Sequence, residues 1–160
     1  MNEISAALEG SLLAVWLRGS MWAYPLANAG HILGVSLLVG GIVPLDLRML
    51  GLWQSIPLAP LQRILTRTAA AGLTLAVVCG LLLFITRATE YVQSAWFITK
   101  MIMICIGLTN VLAMKIMSLD ARASLFQPAA PLPLRFRLSA LVSLVIWMTA
   151  LLLGRMVGYF

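Results

Sequence analysis

Charge is scarce in this sequence, and negative charge scarcer: 10% of the 160 residues are Asp, Glu, Lys or Arg, and five are acidic. With 62% hydrophobic residues and a mean hydropathy of +1.02, too little polar surface remains to coat a soluble globule of this size. The chain has one histidine and two cysteines. One histidine and few carboxylates leave no visible set of nucleophile, base and orienting group, so hydrolytic catalysis has less support than transport and the chain leans toward a non-catalytic role. Cys79 and Cys105 fall in the middle of apolar runs and show no metal-type spacing; they read as small apolar fillers.

What is present is hydrophobic run length. From Leu26 to Leu45 there are 20 residues without a formal charge, about what an α-helix needs to cross ~30 Å of hydrocarbon. Three further runs follow. The expected fold is all-α: a single transmembrane domain over 1–160, with spans at about 25–46, 65–87, 95–117 and 136–156 forming an up-down four-helix bundle. Pro25 suits a first helical position, and Trp16, Trp22 and Tyr24 supply an aromatic belt before it. Ser94 is a plausible N-cap for the third span. Gly51, Pro57 and Pro60 are expected to interrupt helix in the first long connector, and Pro128, Pro131 and Pro133 in the second. Residues 3–18 place Ile4, Ala7, Leu8, Leu12, Val15 and Trp16 at helical spacing and predict one short interfacial helix. The same segment does not read as a signal peptide, because Glu3 and Glu9 stand where a basic region belongs.

The net charge of +6 does not point to nucleic acid, since the basic residues sit where hydrophobic runs end and form no patch. Arg48, Arg63, Arg67, Lys115, Arg122, Arg135 and Arg137 fall on one side of the expected bundle; Arg18, Arg87, Lys100 and Arg155 fall on the other. That bias predicts both termini on the non-cytoplasmic side of a bacterial inner membrane.

The first span carries two features. Ala27, Gly30, Gly34 and Gly41 form a stripe of small residues that lets helix backbones approach, whether in a neighbouring helix or in a second copy. Tyr24, Asn28 and His31, at spacings of four and three, predict a polar face beside it. His31 lies roughly 9 Å into the helix, and Lys100 comes to a similar depth from Ser94. The outer half of the bundle is therefore expected to gather Asn28, His31, Lys100, Arg87, Glu90 and Arg155 around one cavity. Ionisable groups within a membrane are functional candidates by default. Equally, His31 could be a neutral interhelical donor, and Lys100, Arg87 and Arg155 could snorkel to headgroups.

Haem b is the sharpest functional expectation: His31 as axial ligand, with Lys100, Arg87 or Arg155 at the rim to pair with propionates. A second ligand would come from Met101, Met103, Met148 or Met156, or from His31 of a second copy. Quinone follows, hydrogen-bonded by His31 and Lys100. A soft metal such as copper comes third, with His31 as ligand but no clustered methionines. Transport has weak support, because no interrupted helix pair recurs in corresponding halves. The alternative is a structural or assembly subunit without a cofactor, using the Ala27, Gly30, Gly34 and Gly41 stripe. The expected partners are the bilayer and either further copies or unlike membrane subunits.

At YPLANAGHILG, DLRMLG, GLLLF, the WFITK segment with Asn110 beyond it, and the terminal GRMVGYF, the chain resembles a family of small bacterial four-helix integral membrane proteins with no assigned activity. The resemblance runs from about Trp22 to the end. It matches the family pattern at His31, Asp46, Arg48, Lys100, Asn110 and Arg155, and departs from it at Asn28, where the family often has glutamate. What the resemblance implies is a hydrogen-bonding group retained there without the charge a proton relay needs. More distantly, the histidine-bearing, glycine-rich first span is similar to membrane domains of copper-resistance and b-type cytochrome proteins. Asp46 and Arg48, at the other end, read as structural, pairing with Arg63 or Asn110.

Overall fold

The computed structural model describes residues 2–120 and 132–158; the expectations placed on Arg122, Pro128 and Pro131 lie outside the described residues. Seven helices are described and no strand is found among them: α1 (Asn2–Glu9), α2 (Leu12–Gly19), α3 (Ala23–Leu50), α4 (Leu58–Thr86), α5 (Ala88–Gln93), α6 (Ala95–Asp120) and α7 (Leu134–Met156). Helices α3, α4, α6 and α7 are each long and apolar enough to cross a bilayer.

Helix α3 runs past Asp46 and stops at Gly51, whose φ of 117° only glycine adopts without strain. The Gly51 and Leu52 N–H groups then close on the Arg48 and Leu47 carbonyls at 3.2 and 3.0 Å, a Schellman end. Arg48 secures the connector by donating to the Ile56 and Gln54 carbonyls at 2.9 and 3.1 Å. Helix α4 starts at Leu58, and Pro60 is not the breaker expected of it: in the first turn its missing N–H removes no helical bond. Ser94 caps α6, its hydroxyl accepting from the Phe97 N–H at 3.4 Å.

Helices α3 and α4 share the most extensive contact in the molecule, and glycine sets its closeness. A Cβ at Gly34 would overlap the Ala76 backbone nitrogen; one at Gly72 would stand 2.5 Å from the Leu38 nitrogen, and one at Gly41 2.7 Å from the Leu65 carbonyl oxygen. Gly30 meets Cys79 at one end of this seam and Gly41 meets Ala69 at the other, so the two helices run antiparallel. The small-residue stripe therefore faces a helix of the same chain.

Helix α7 lies against both α3 and α6. Trp147 packs on Leu38 and Ile42 of α3 and covers Gly107 of α6. Phe136 and Ala140 cluster with Met49. The Ser139 hydroxyl donates to Asn110 Oδ1 at 2.9 Å while Asn110 Nδ2 donates back to the Ser139 carbonyl at 3.1 Å, tying α7 to α6.

The N-terminal segment is two helices, not one. The chain turns at Gly10, and Ser11 caps α2 by accepting from the Ala14 N–H at 3.3 Å. The pair docks on the molecule, burying Ala14 and Leu17. Arg18 donates to the Thr86 carbonyl at 2.9 Å and the Glu9 carbonyl at 2.6 Å, while the Glu9 carboxylate accepts the Thr89 N–H at 2.7 Å. Glu9 thus serves the first turn of α5, where Arg87 offers no side-chain cap. Leu12, Trp16, Met21 and Trp22 stay exposed, which suits an interfacial position.

The closeness of the α3/α4 seam makes a direct prediction. Gly34→Ala must push backbone from backbone, an overpacking cost of about 1–3 kcal/mol. Gly40→Ala, where nothing lies within 4 Å, is expected to be neutral or stabilising by under about 1 kcal/mol. Reversible unfolding of the two variants in mild detergent checks the contrast, and equal stabilities would refute it.

Candidate functional site

His31 sits on the flank of the small-residue stripe, four residues after Ala27 and three before Gly34, so the close approach of α4 brings that helix against the imidazole. Gly80 provides the seat: a Cβ there would stand 3.1 Å from both Cε1 and Nδ1 of His31. Nδ1 lies 2.7 Å from the Ala76 carbonyl oxygen. A carbonyl only accepts, so Nδ1 carries the proton and donates it. That carbonyl is the one the α-helical pattern pairs with the Gly80 N–H; the ring occupies its second lone pair.

The consequence is a fixed tautomer. With Nδ1 protonated, Nε2 bears a free lone pair, and it has no hydrogen-bond partner among the described residues. An imidazole oriented through Nδ1–H to a backbone carbonyl, with Nε2 free, is the arrangement that metal-ligating histidines use. It also suits acceptance of a proton or a hydroxyl. It does not suit donation to a quinone carbonyl from the neutral ring.

The other expected site residues lie at the same end of the molecule without converging on His31. Asn28 is exposed, so the polar face expected of Tyr24, Asn28 and His31 divides: His31 turns into the α3/α4 seam and Asn28 away from it. Lys100 belongs to the α6/α7 side, its Nζ 4.8 Å above the Phe97 ring and its stem against Gly154. Arg87 pairs with Glu90 at 3.4 Å, both well exposed, a pair that adds little in water. Arg155 is exposed at the end of α7. Among the described residues no group of three His, Cys, Asp or Glu side chains stands ready for a metal.

Residue pattern gave no sign of the aromatic stack at this end. Phe84 of α4, Tyr91 of α5 and Phe97 of α6 stack on one another with centroids 5.2–6.1 Å apart, and Lys100 lies on the last of them. Burial pushes the Tyr91 phenol above its usual range, and nearby Tyr24 and Glu90 push the same way against Arg87, so Tyr91 stays neutral and serves as ring and hydroxyl only. Phe84 is one turn from Gly80 on α4, which places the stack one turn beyond His31.

Comparison of the chain with protein-family models, with curated proteins and with solved structures finds no match. The reading of this site rests on its own geometry.

At the base end, Asp46 and Arg48 do not form the expected pairs. Arg48 is spent on the connector carbonyls, Asn110 on Ser139, and Asp46 faces Ser143 of α7. The reason is helix order: α7, not α4 or α6, covers the Asp46 face of α3.

Because the chain has a single histidine, the tautomer is directly measurable. Nitrogen NMR of the histidine-labelled protein is expected to show neutral imidazole protonated at Nδ1. Gly80→Val fills the seat and should abolish that signature, giving mixed tautomers, while Gly154→Ala should leave it intact. An Nε2-protonated ring in the unaltered protein would sink this assignment.

Proposed function

We propose that this chain is a non-catalytic membrane subunit that holds a redox cofactor at His31, haem b ahead of quinone, in an up-down arrangement of its four long helices with the His31 end on the non-cytoplasmic side of a bacterial inner membrane. One observation carries the preference: the 2.7 Å bond from Nδ1 to the Ala76 carbonyl, which leaves Nε2 as a directed lone pair with no other use among the described residues. That donor fits one axial position of a haem iron. A quinone carbonyl asks instead for a donor, which the neutral His31 does not offer on that side. Its motifs resemble those of small four-helix bacterial membrane proteins, which supports the same reading.

The residues assign themselves roles accordingly. His31 binds through Nε2, Ala76 and Gly80 orient the ring, and Lys100 and Arg155 at the same end supply positive charge for carboxylates. Bound haem supplies one-electron exchange. Tight α3/α4 packing at Gly34 and Gly72 excludes any planar group from the seam itself, so the ligand lies on the Nε2 side of His31. One histidine per chain would leave any further ligand to a methionine or to His31 of a second copy.

An absorption spectrum of the purified protein after haem reconstitution tests the proposal. A Soret band is expected, lost in His31→Ala, and haem retention is expected to fall about 10–100-fold when Gly80→Ala disturbs the orienting contact. If no Soret band develops, the haem reading ends. Quinone in an organic extract, lost with His31→Ala, would then favour the second ligand. Co-purification with unlike subunits and no cofactor would favour an assembly role.

A further inference from the structure

The half of the molecule away from His31 holds a second ionisable group that the proposed function does not use. Asp46 lies within α3 at 3% exposure, and its Oδ2 has no hydrogen-bond partner. Across the helix contact, Ser143 of α7 bonds its carboxyl. Trp147, one turn further along α7, is also 3% exposed, and its Nε1 has no partner either. Trp147 packs on Ile42, one turn from Asp46 on α3. Asp46 Oδ2 and Trp147 Nε1 are thus two buried polar atoms left unmet, the carboxyl on the face of α3 that α7 covers and the indole Nε1 edge on the α6 side, where Cε2 and Cζ2 meet Gly107. Buried polar groups without partners are rare in folded proteins and call for a ligand, water or ion.

The surrounding charges do not neutralise Asp46. On its own helix Arg48 is turned to the Ile56 and Gln54 carbonyls. On α7, Arg137 donates to the Leu50 carbonyl at 3.2 Å and Arg135 lies over Phe136. Arg63 and Arg67 of α4 and Lys115 of α6 are exposed. A carboxylate in that position needs a positive charge beside it or on it. A metal cation would want about six oxygen ligands. A proton needs a single oxygen.

We propose that Asp46, with Ser143, forms a proton-binding site inside the membrane, independent of any cofactor at His31. In the protonated form the carboxyl O–H donates to the Ser143 oxygen. When the proton leaves, the Ser143 O–H donates to the carboxylate instead. Asp46 is four residues from the end of α3 at Leu50, roughly 6 Å along the axis, so the proton exchanges with water at that surface.

Infrared spectra of the full chain in lipid nanodiscs test this. At low pH an Asp46-dependent carboxylic-acid stretch is expected, downshifted in heavy water, absent in Asp46→Asn, and lost as the pH rises while helicity by circular dichroism stays constant. Ser143→Ala should move its frequency without removing it, which keeps the test valid if Asp46→Asn folds poorly. A hydrophobic carbodiimide, which attacks the protonated acid, should label Asp46 over the same pH range. Absence of an Asp46-dependent band at every pH would overturn the proposal. So would a band that never titrates, which marks a static donor, or one abolished by sodium at fixed pH, which marks a metal-cation site.

Discussion

The contact that the other features depend on is the approach of α3 and α4 through Gly34, Gly72 and Gly41. In a bilayer, lipid tails are as apolar as leucine, so burial of hydrocarbon does not hold helices together; close van der Waals contact and polar contacts do. Three glycines remove the Cβ atoms that would keep these backbones apart. Only at that separation does an imidazole from α3 reach a carbonyl of α4, because backbone carbonyls are otherwise screened by their own side chains. Gly80 is part of the same device, clearing the space above Ala76 in which the ring lies.

Each polar group in the long helices has a different solution to the same problem, the cost of leaving a donor or acceptor unmet where water is absent. His31 uses a backbone carbonyl, Asn110 and Ser139 satisfy each other, and Lys100 lays its charge over an aromatic face. Thr68, Thr74, Thr99 and Thr109 return their hydroxyls to carbonyls one turn back. Against this background Asp46 Oδ2 and Trp147 Nε1 stand out, since they are buried more deeply than most of these and yet unmet.

The four long helices were legible because run length is a one-dimensional property: an uncharged stretch between arginines needs no knowledge of its neighbours. Local signals were legible for the same reason, as with the cap at Ser94 and the helix break at Gly51. What sequence reading missed depends on pairing. Pro60 looked like a breaker because its position within the first turn depends on where the helix starts. Residues 3–18 read as one amphipathic helix because periodicity does not say that Glu9 and Arg18 find partners in α5 and α4 on either side of a turn at Gly10. Spacing alone put Asn28 and His31 on one face; the flank that α4 covers decides which is buried. Asp46 was assigned to Arg63 or Asn110 because nothing in the sequence says that α7 lies against α3.

Fixing His31 through the main chain has a consequence for how the site tolerates change. A side-chain partner could be lost by one substitution at its own position, whereas the Ala76 carbonyl is present whatever residue stands there. Sensitivity therefore moves to positions without functional groups: Gly80, which makes room for the ring, and Gly34 and Gly72, which hold the helices at the separation the bond requires. The chemistry at Nε2 is governed by residues that carry none. The charged residues nearest the same end, Arg87 and Glu90, are the ones whose pairing in water contributes least.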